Sequence, residues 1–177
     1  MDDWGEETFV KSDYFKKLKS VFEDESLKDE LQKAGYHMSL KIHPQMRRFA
    51  HLFDNLGVEI LGDDALYKKI NAESALMVTD YSSAIFDFAY LQKPVIYYQF
   101  DREDFFTNHK WQLGYFDYER DGFGPVCETK DQFVDLLIQA IHRDCKNEEV
   151  YRKRCEDFFA FKDKENCRRV YEKILEL

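Results

Sequence analysis

The sequence predicts a three-layer α/β domain of Rossmann-like type built on a parallel sheet, and three observations carry that reading. From residue 36 to residue 98, short apolar runs alternate with stretches of helical spacing, the order of a βαβ chain. Residues 75–79 and 95–98 are almost continuously apolar, as strands buried on both faces are. The 177 residues are 44% hydrophobic and 16% aromatic, enough for a sizeable packed core and far from a disordered composition. No repeat, low-complexity tract or Pro/Gly linker divides the chain, so residues 1–177 read as a single domain.

The elements follow in order. Residues 12–33 set Tyr14, Phe15, Leu18, Val21, Phe22, Leu27 and Leu31 mostly three and four apart among charges, which predicts one or two amphipathic helices. Residues 36–42 alternate between Gly35 and His43-Pro44 and form a strand that stops at His43. A helix over 45–56, a strand over 58–61 closed by Gly62, Asp63 and Asp64, and a helix over 65–71 lead to the strand 75–79. Asp80, Tyr81, Ser82 and Ser83 follow it directly, then a helix over 84–91 that Lys93-Pro94 breaks, then the strand 95–98. Residues 101–129 hold Gly114, Gly122, Gly124 and Pro125 with no steady period, and a connection this long usually carries function. Helices over 130–142, 148–161 and 165–177 close the chain and are expected to pack across the sheet.

Composition excludes several function classes. With 26 Lys and Arg against 35 Asp and Glu, the net charge of −9 repels a phosphate backbone and argues against nucleic-acid binding. No apolar run reaches the roughly 18–20 residues that cross a bilayer, and the acidic start is unlike a signal peptide. Cys127, Cys145, Cys155 and Cys167 lack metal-chelating spacing and read as buried free thiols of a reducing compartment. No P-loop, dinucleotide-binding, zinc-protease or nucleophile-elbow motif is present.

Ligands of open parallel sheets bind at the carboxyl ends of the strands. Two loops there stand out. Lys41, His43, Arg47 and Arg48, with His51 beyond them, concentrate cationic groups in an acidic chain, although Pro44 would also sit there simply to begin a helix. Ser82 and Ser83 open the next candidate helix, where they either cap free N–H groups or, with those groups and the helix dipole, hold an anion. Together the loops suggest a phosphate or diphosphate between Ser82 and Ser83 on one side and His43 and Arg48 on the other. His43, the imidazole of the set, is the candidate acid or charge stabiliser. Asp80 and Asp87 flank the serines and either cap the helix or accept hydrogen bonds from ligand hydroxyls. His37, His109 and His142 read as ordinary histidines, His51 is expected to point away from the loop, and the aromatics of residues 115–119 serve packing before any base pocket.

The Lys41-x-His43-Pro44 motif, the run 77–89 around Asp80-Tyr81-Ser82-Ser83, Lys93-Pro94 with 95–98, the aromatic segment 114–118 and Gly124-Pro125-Val126 resemble the CDP-glycerol glycerophosphotransferases of teichoic acid synthesis. Phe158-Phe159 and residues 163–169 are similar to that family's closing helices. The resemblance implies the C-terminal, donor-binding half of a GT-B architecture, with the N-terminal acceptor half absent. It implies transfer of glycerol phosphate from CDP-glycerol to a polyol-phosphate acceptor with release of CMP. CDP-ribitol or a nucleotide sugar is the nearest alternative donor. His43 becomes the catalytic candidate, Arg48, Ser82 and Ser83 the donor-phosphate ligands, and Lys41, Asp80 and Asp87 the residues that shape the pocket. No cofactor and no metal site is implied, and Mg²⁺ could join the diphosphate without being required. Lacking the acceptor half, the fragment is expected to be inactive alone, and its acidic start resembles a gene-fragment boundary. The parent enzyme is expected in the cytoplasm, peripheral on the inner face of the membrane. A non-catalytic receiver-like module is the alternative of another class, but the strand ending at His43 carries no acid pair.

Overall fold

The computed structural model describes residues 5–62, 64–108 and 114–177. Its described strands pair in parallel throughout. β1 (Met38–Leu40) lies beside β2 (Val58–Ile60), and β4 (Val95–Tyr98) lies between β3 (Met77–Thr79) and β5 (Val126–Cys127). Before β1 come α1 (Glu6–Lys11), α2 (Asp13–Phe22) and α3 (Glu25–Ala34). Parallel neighbours require crossovers. A 3₁₀ helix (Pro44–Phe53) joins β1 to β2, α4 (Tyr67–Glu73) leads to β3, and α5 (Ile85–Tyr90) joins β3 to β4. After β4 come α6 (Arg102–Asn108), β5, α7 (Lys130–His142), α8 (Glu149–Phe158) and α9 (Asn166–Leu175).

β4 explains the layering. Its side chains alternate, so Ile96 and Tyr98 enter a core with α2, α3 and α7, while Val95 and Tyr97 enter a second with Ile85, Phe88, Phe123 and Cys155. The strand is buried along its whole length, and the expected three-layer parallel arrangement is the observed one. Local chemistry fixes where the helices begin. Ser12 Oγ accepts from the Phe15 N–H at 3.2 Å, Asp24 Oδ1 from the Leu27 N–H at 3.1 Å, and Thr129 and Gln132 form a capping box.

The segment 122–124 threads tightly past β4. A Cβ on Gly124 would lie 1.8 Å from the Val95 carbonyl oxygen and one on Gly122 2.0 Å from that of Tyr118, so both positions demand glycine. Phe123 between them is fully buried.

Several expectations need correction. The strands fall into two hydrogen-bonded groups, and β3 is an outer strand with Val78 41% exposed, not a strand buried on both faces. Among the described residues its hydrogen-bonded neighbour lies on one side only. Residues 44–53 are 3₁₀, because Met46, Phe49 and Leu52 repeat at three, a spacing that α and 3₁₀ helices share. The long connection contains α6 and β5, and α1 precedes the first expected helix. α9 buries no residue and so does not pack across the sheet. Of the four free thiols, Cys127 and Cys155 are buried, Cys145 is partly buried and Cys167 is exposed. Burial pushes the Cys127 thiol up to about 12 and that of Cys155 up to about 11.

Candidate functional site

The basic loop leaves β1 at Leu40. His43 is exposed in extended backbone before Pro44, and its Nδ1 accepts from the Gln45 N–H at 3.3 Å while its carbonyl accepts from the Met46 N–H at 2.8 Å. His43 therefore caps the 3₁₀ helix in this state. The Lys41 ammonium reaches across to the loop after β2, donating to the Gly62 carbonyl and to that of Ala65 at 3.4 Å. That contact ties the β1 and β2 ends together and turns Lys41 into a brace. The exposed Arg48 guanidinium lies over the Phe49 ring, 4.8 Å from its centroid. Phe49 in turn stacks on Phe9 of α1 at 4.2 Å, and His51 pairs with Glu6 at 3.2 Å, pointing away from the loop as expected. α1 is thus docked on the 3₁₀ helix by residues that sequence reasoning left unassigned.

The serine loop leaves β3 at Thr79. Ser82 and Ser83 are exposed, the Ser82 Oγ accepts from the Ala84 N–H at 3.3 Å, and the Ser83 carbonyl accepts from the Phe86 N–H at 3.2 Å. The Ser82 hydroxyl thus closes a turn ahead of α5, whose own N-cap, Ala84, carries no side-chain cap. α5 has six residues, so its dipole is short, and an anion here would depend on the loop N–H and hydroxyl groups more than on the helix. Asp80 Oδ1 accepts from the Tyr81 N–H at 2.6 Å, which turns the chain, and Asp87 is exposed in the first turn of α5. Among the described residues no hydrogen bond joins His43 to Ser82 or Ser83. His43 and Arg48 in one loop and Ser82 and Ser83 in the other are all exposed.

What surrounds the serine loop was not legible as a site. Tyr81 lies on Phe105 with centroids 3.7 Å apart and donates its O–H to Asp101 Oδ1 at 3.0 Å. Gln99, fully buried, donates from Nε2 to the Asp80 carbonyl at 3.1 Å, and its Oε1 finds no partner. Burial and the Asp80 and Asp101 carboxylates push the Tyr14 phenol up, so α2 brings Tyr14 to the same place. Phe116 and Tyr118 pack against Phe86, Phe123, Tyr97 and Tyr81, while Tyr115 is 85% exposed. Lys93 of the Lys93-Pro94 motif is structural, since its ammonium donates at 2.8 Å to the carbonyls of Asn71, Ala72 and Ser74 at the end of α4. An open groove of about 450 Å³ lies elsewhere, between Arg102, Glu119, Glu128 and Gln132, and holds none of the candidate residues. His109 lies outside the described residues. Among those described, no cluster of His, Cys, Asp or Glu could hold a metal ion, and no helix is long and apolar enough to cross a membrane.

The family model described as CDP-Glycerol:Poly(glycerophosphate) glycerophosphotransferase matches residues 4–176. This chain belongs to that family. It is 36% identical over 170 residues to the minor teichoic acid biosynthesis protein GgaB of Bacillus subtilis (strain 168), which covers 96% of this chain and 18% of that protein. To the teichoic acid poly(ribitol-phosphate) polymerase of Bacillus spizizenii (strain ATCC 23059 / NRRL B-14472 / W23) it is 31% identical over 114 residues, 63% of this chain and 17% of that one. To the same organism's teichoic acid poly(glycerol phosphate) polymerase it is 26% identical over 183 residues, 97% and 42% of the two chains. The solved structure of the wall teichoic acid polymerase TagF matches at a TM-score of 0.61 and 17% identity, over 88% of this chain and 37% of that chain. That likeness carries fold alone, and it supports the α/β unit of GT-B type. This chain spans less than half the length of each of these relatives. Glycerol-phosphate and ribitol-phosphate polymerases of teichoic acid synthesis both stand among them.

Proposed function

We infer that these residues form the donor-binding part of a transferase that moves glycerol phosphate from CDP-glycerol to a polyol-phosphate acceptor. The single observation that carries this reading is the pair of exposed loops, cationic after β1 and hydroxyl-bearing after β3, in a chain of this family. A diphosphate between them would accept hydrogen bonds from Ser82, Ser83 and the amides around them, and would be countered by Arg48 and His43. The acceptor hydroxyl attacks the β-phosphorus in line, a new P–O bond forms, and the bond to the CMP oxygen breaks. His43 stabilises or protonates the leaving phosphate. Lys41 acts indirectly, by bracing the loop that carries His43. Asp80 shapes the turn ahead of the serines, and Asp87 borders the same pocket from α5.

A further part of the protein would present the acceptor, as the short coverage of the relatives suggests, so the 177 residues bind donor without turning it over. The parent enzyme would work peripherally on the cytoplasmic face of the membrane that carries the acceptor. Calorimetry with CDP-glycerol, CDP-ribitol, CMP and a UDP-sugar tests the donor assignment. CDP-glycerol should bind tightest, with the same affinity in chelator, since Arg48, His43 and loop amides already supply countercharge. Tighter binding of a UDP-sugar overturns the donor assignment, and binding abolished by chelator overturns the metal-free one.

A further inference from the structure

The serine loop is four residues long, and the helix that follows it is too short to hold it by its own dipole. Its shape is set from outside, by the connection that leaves β4. Gln99 grips the loop's first carbonyl, that of Asp80, at 3.1 Å from a fully buried position. Two residues on, Asp101 accepts the Tyr81 O–H at 3.0 Å. Phe105 of α6 then stacks on the Tyr81 ring at 3.7 Å and 9°, with Phe106 and Tyr118 edge-on at 5.6 and 6.1 Å. Tyr81 sits directly between Asp80 and the two serines. Its stack confines where the ring lies, and its bond to Asp101 fixes how far the ring reaches along α6. Hydroxyls that bind a phosphate must be placed to within about half an ångström, and these contacts add to the turn's own hydrogen bonds, to the N–H groups of Tyr81, Ala84 and Phe86, in holding that geometry.

We propose that Tyr81 and Asp101 are positioning residues for the donor phosphates, a latch that holds Ser82 and Ser83 in the binding arrangement. The inference rests on the serine loop being the phosphate site. Neither latch residue needs to touch the donor. The latch also gives α6 a part in donor binding, because Asp101 lies immediately before it and Phe105 at its middle.

The test is calorimetric titration of the full chain with CDP-glycerol, alongside its melting temperature. Tyr81→Phe keeps the ring stack and loses the bond, while Asp101→Ala loses the acceptor and Asp101→Asn keeps a carbonyl oxygen to accept it. Tyr81→Phe and Asp101→Ala should each weaken binding about three- to tenfold, the effect of one lost hydrogen bond, with melting temperatures close to the parent's. Asp101→Asn should restore near-parental affinity. In a Ser83→Ala background, Tyr81→Phe should add little further loss, because it acts through the loop already impaired; a purely structural role would add its full effect there. Parental affinity in Tyr81→Phe together with a loss in Ser83→Ala overturns the latch and leaves the phosphate site standing. Equal losses from Tyr81→Phe in both backgrounds also overturn it. Parental affinity in Ser83→Ala overturns the phosphate site and the latch with it.

Discussion

The three-stranded sheet and the two-stranded pair each carry one loop of the candidate site, and they hold those loops by different means. The serine loop after β3 is gripped by residues 19 or more positions away in sequence, Gln99, Asp101 and Phe105 among them. The basic loop after β1 is shaped by its own neighbours, with His43 capping Gln45 and Pro44 starting the 3₁₀ helix, while Lys41 reaches out to Gly62 and Ala65 and the helix itself rests on α1 through Phe49 and His51. Geometry built on distant contacts is rigid but can be lost by a change far from the site. Geometry built on local hydrogen bonds frays more easily yet survives change elsewhere. A donor bound between the loops would therefore meet one preset surface and one adaptable one.

The largest expected effect separates the two regions directly. Phe123→Ala empties the core against β4 and should cost about 3–5 kcal/mol in urea unfolding. Val58→Ala in the two-stranded pair should cost about 2 kcal/mol. Amide exchange should be slowest in β4 and faster in β1 and β2, and equal protection in both would break the comparison. Next comes Lys93→Met, which leaves three carbonyls at the end of α4 without their ammonium and should cost about 1–2 kcal/mol by the same unfolding measurement. An unchanged midpoint would show that Lys93 does not support the approach to β3.

The smallest effect concerns the contact that clamps the regions together. Asp24, at the start of α3, pairs with Lys130 of α7 at 2.8 Å. Hydrogen bonds from Lys130 first, then Ser26, hold its carboxyl down to about 2. A lowered folded-state value stabilises the protein above the unfolded value near 4, and that contribution is lost as pH falls through about 2. Asp24→Asn keeps the cap and loses the ion pair. It should cost under about 1 kcal/mol at pH 7 and flatten the loss of stability between pH 4 and pH 2. An acid limb as steep as the parent's would place the titration on other carboxylates.

Sequence spacing located β4 and α7 to the residue because burial on a long apolar run leaves a strong local pattern. β5 left none, since two residues become a strand only through pairing with Tyr97 and Tyr98. The exposure of β3 was equally unreadable, because Val78 is as apolar in an outer strand as in a central one. At the site, the placing of two loops after strands drew attention to His43, Ser82 and Ser83, which the protein does leave exposed there. Lys93 and Gly124, from the same motifs, prove to be scaffolding, bound to α4 carbonyls and pressed against Val95. Tyr81 was visible as a letter inside the motif, yet its partners Asp101 and Phe105 lie in a segment whose periodicity signals nothing.

The central claim is that the two loops close on one diphosphate, and a double-substitution cycle read by CDP-glycerol calorimetry tests it most directly. His43→Ala should weaken binding by about 1.5–3 kcal/mol with the fold intact, as for a hydrogen bond to a charged group. Ser83→Ala should weaken it less, with stability close to the parent's, since α5 carries no side-chain cap. The double variant should lose less than the sum, by at least about 0.5 kcal/mol, because both groups act on the same phosphates. A His43→Ala protein that binds CDP-glycerol like the parent, with Ser82→Ala and Ser83→Ala also unaffected, would contradict the account.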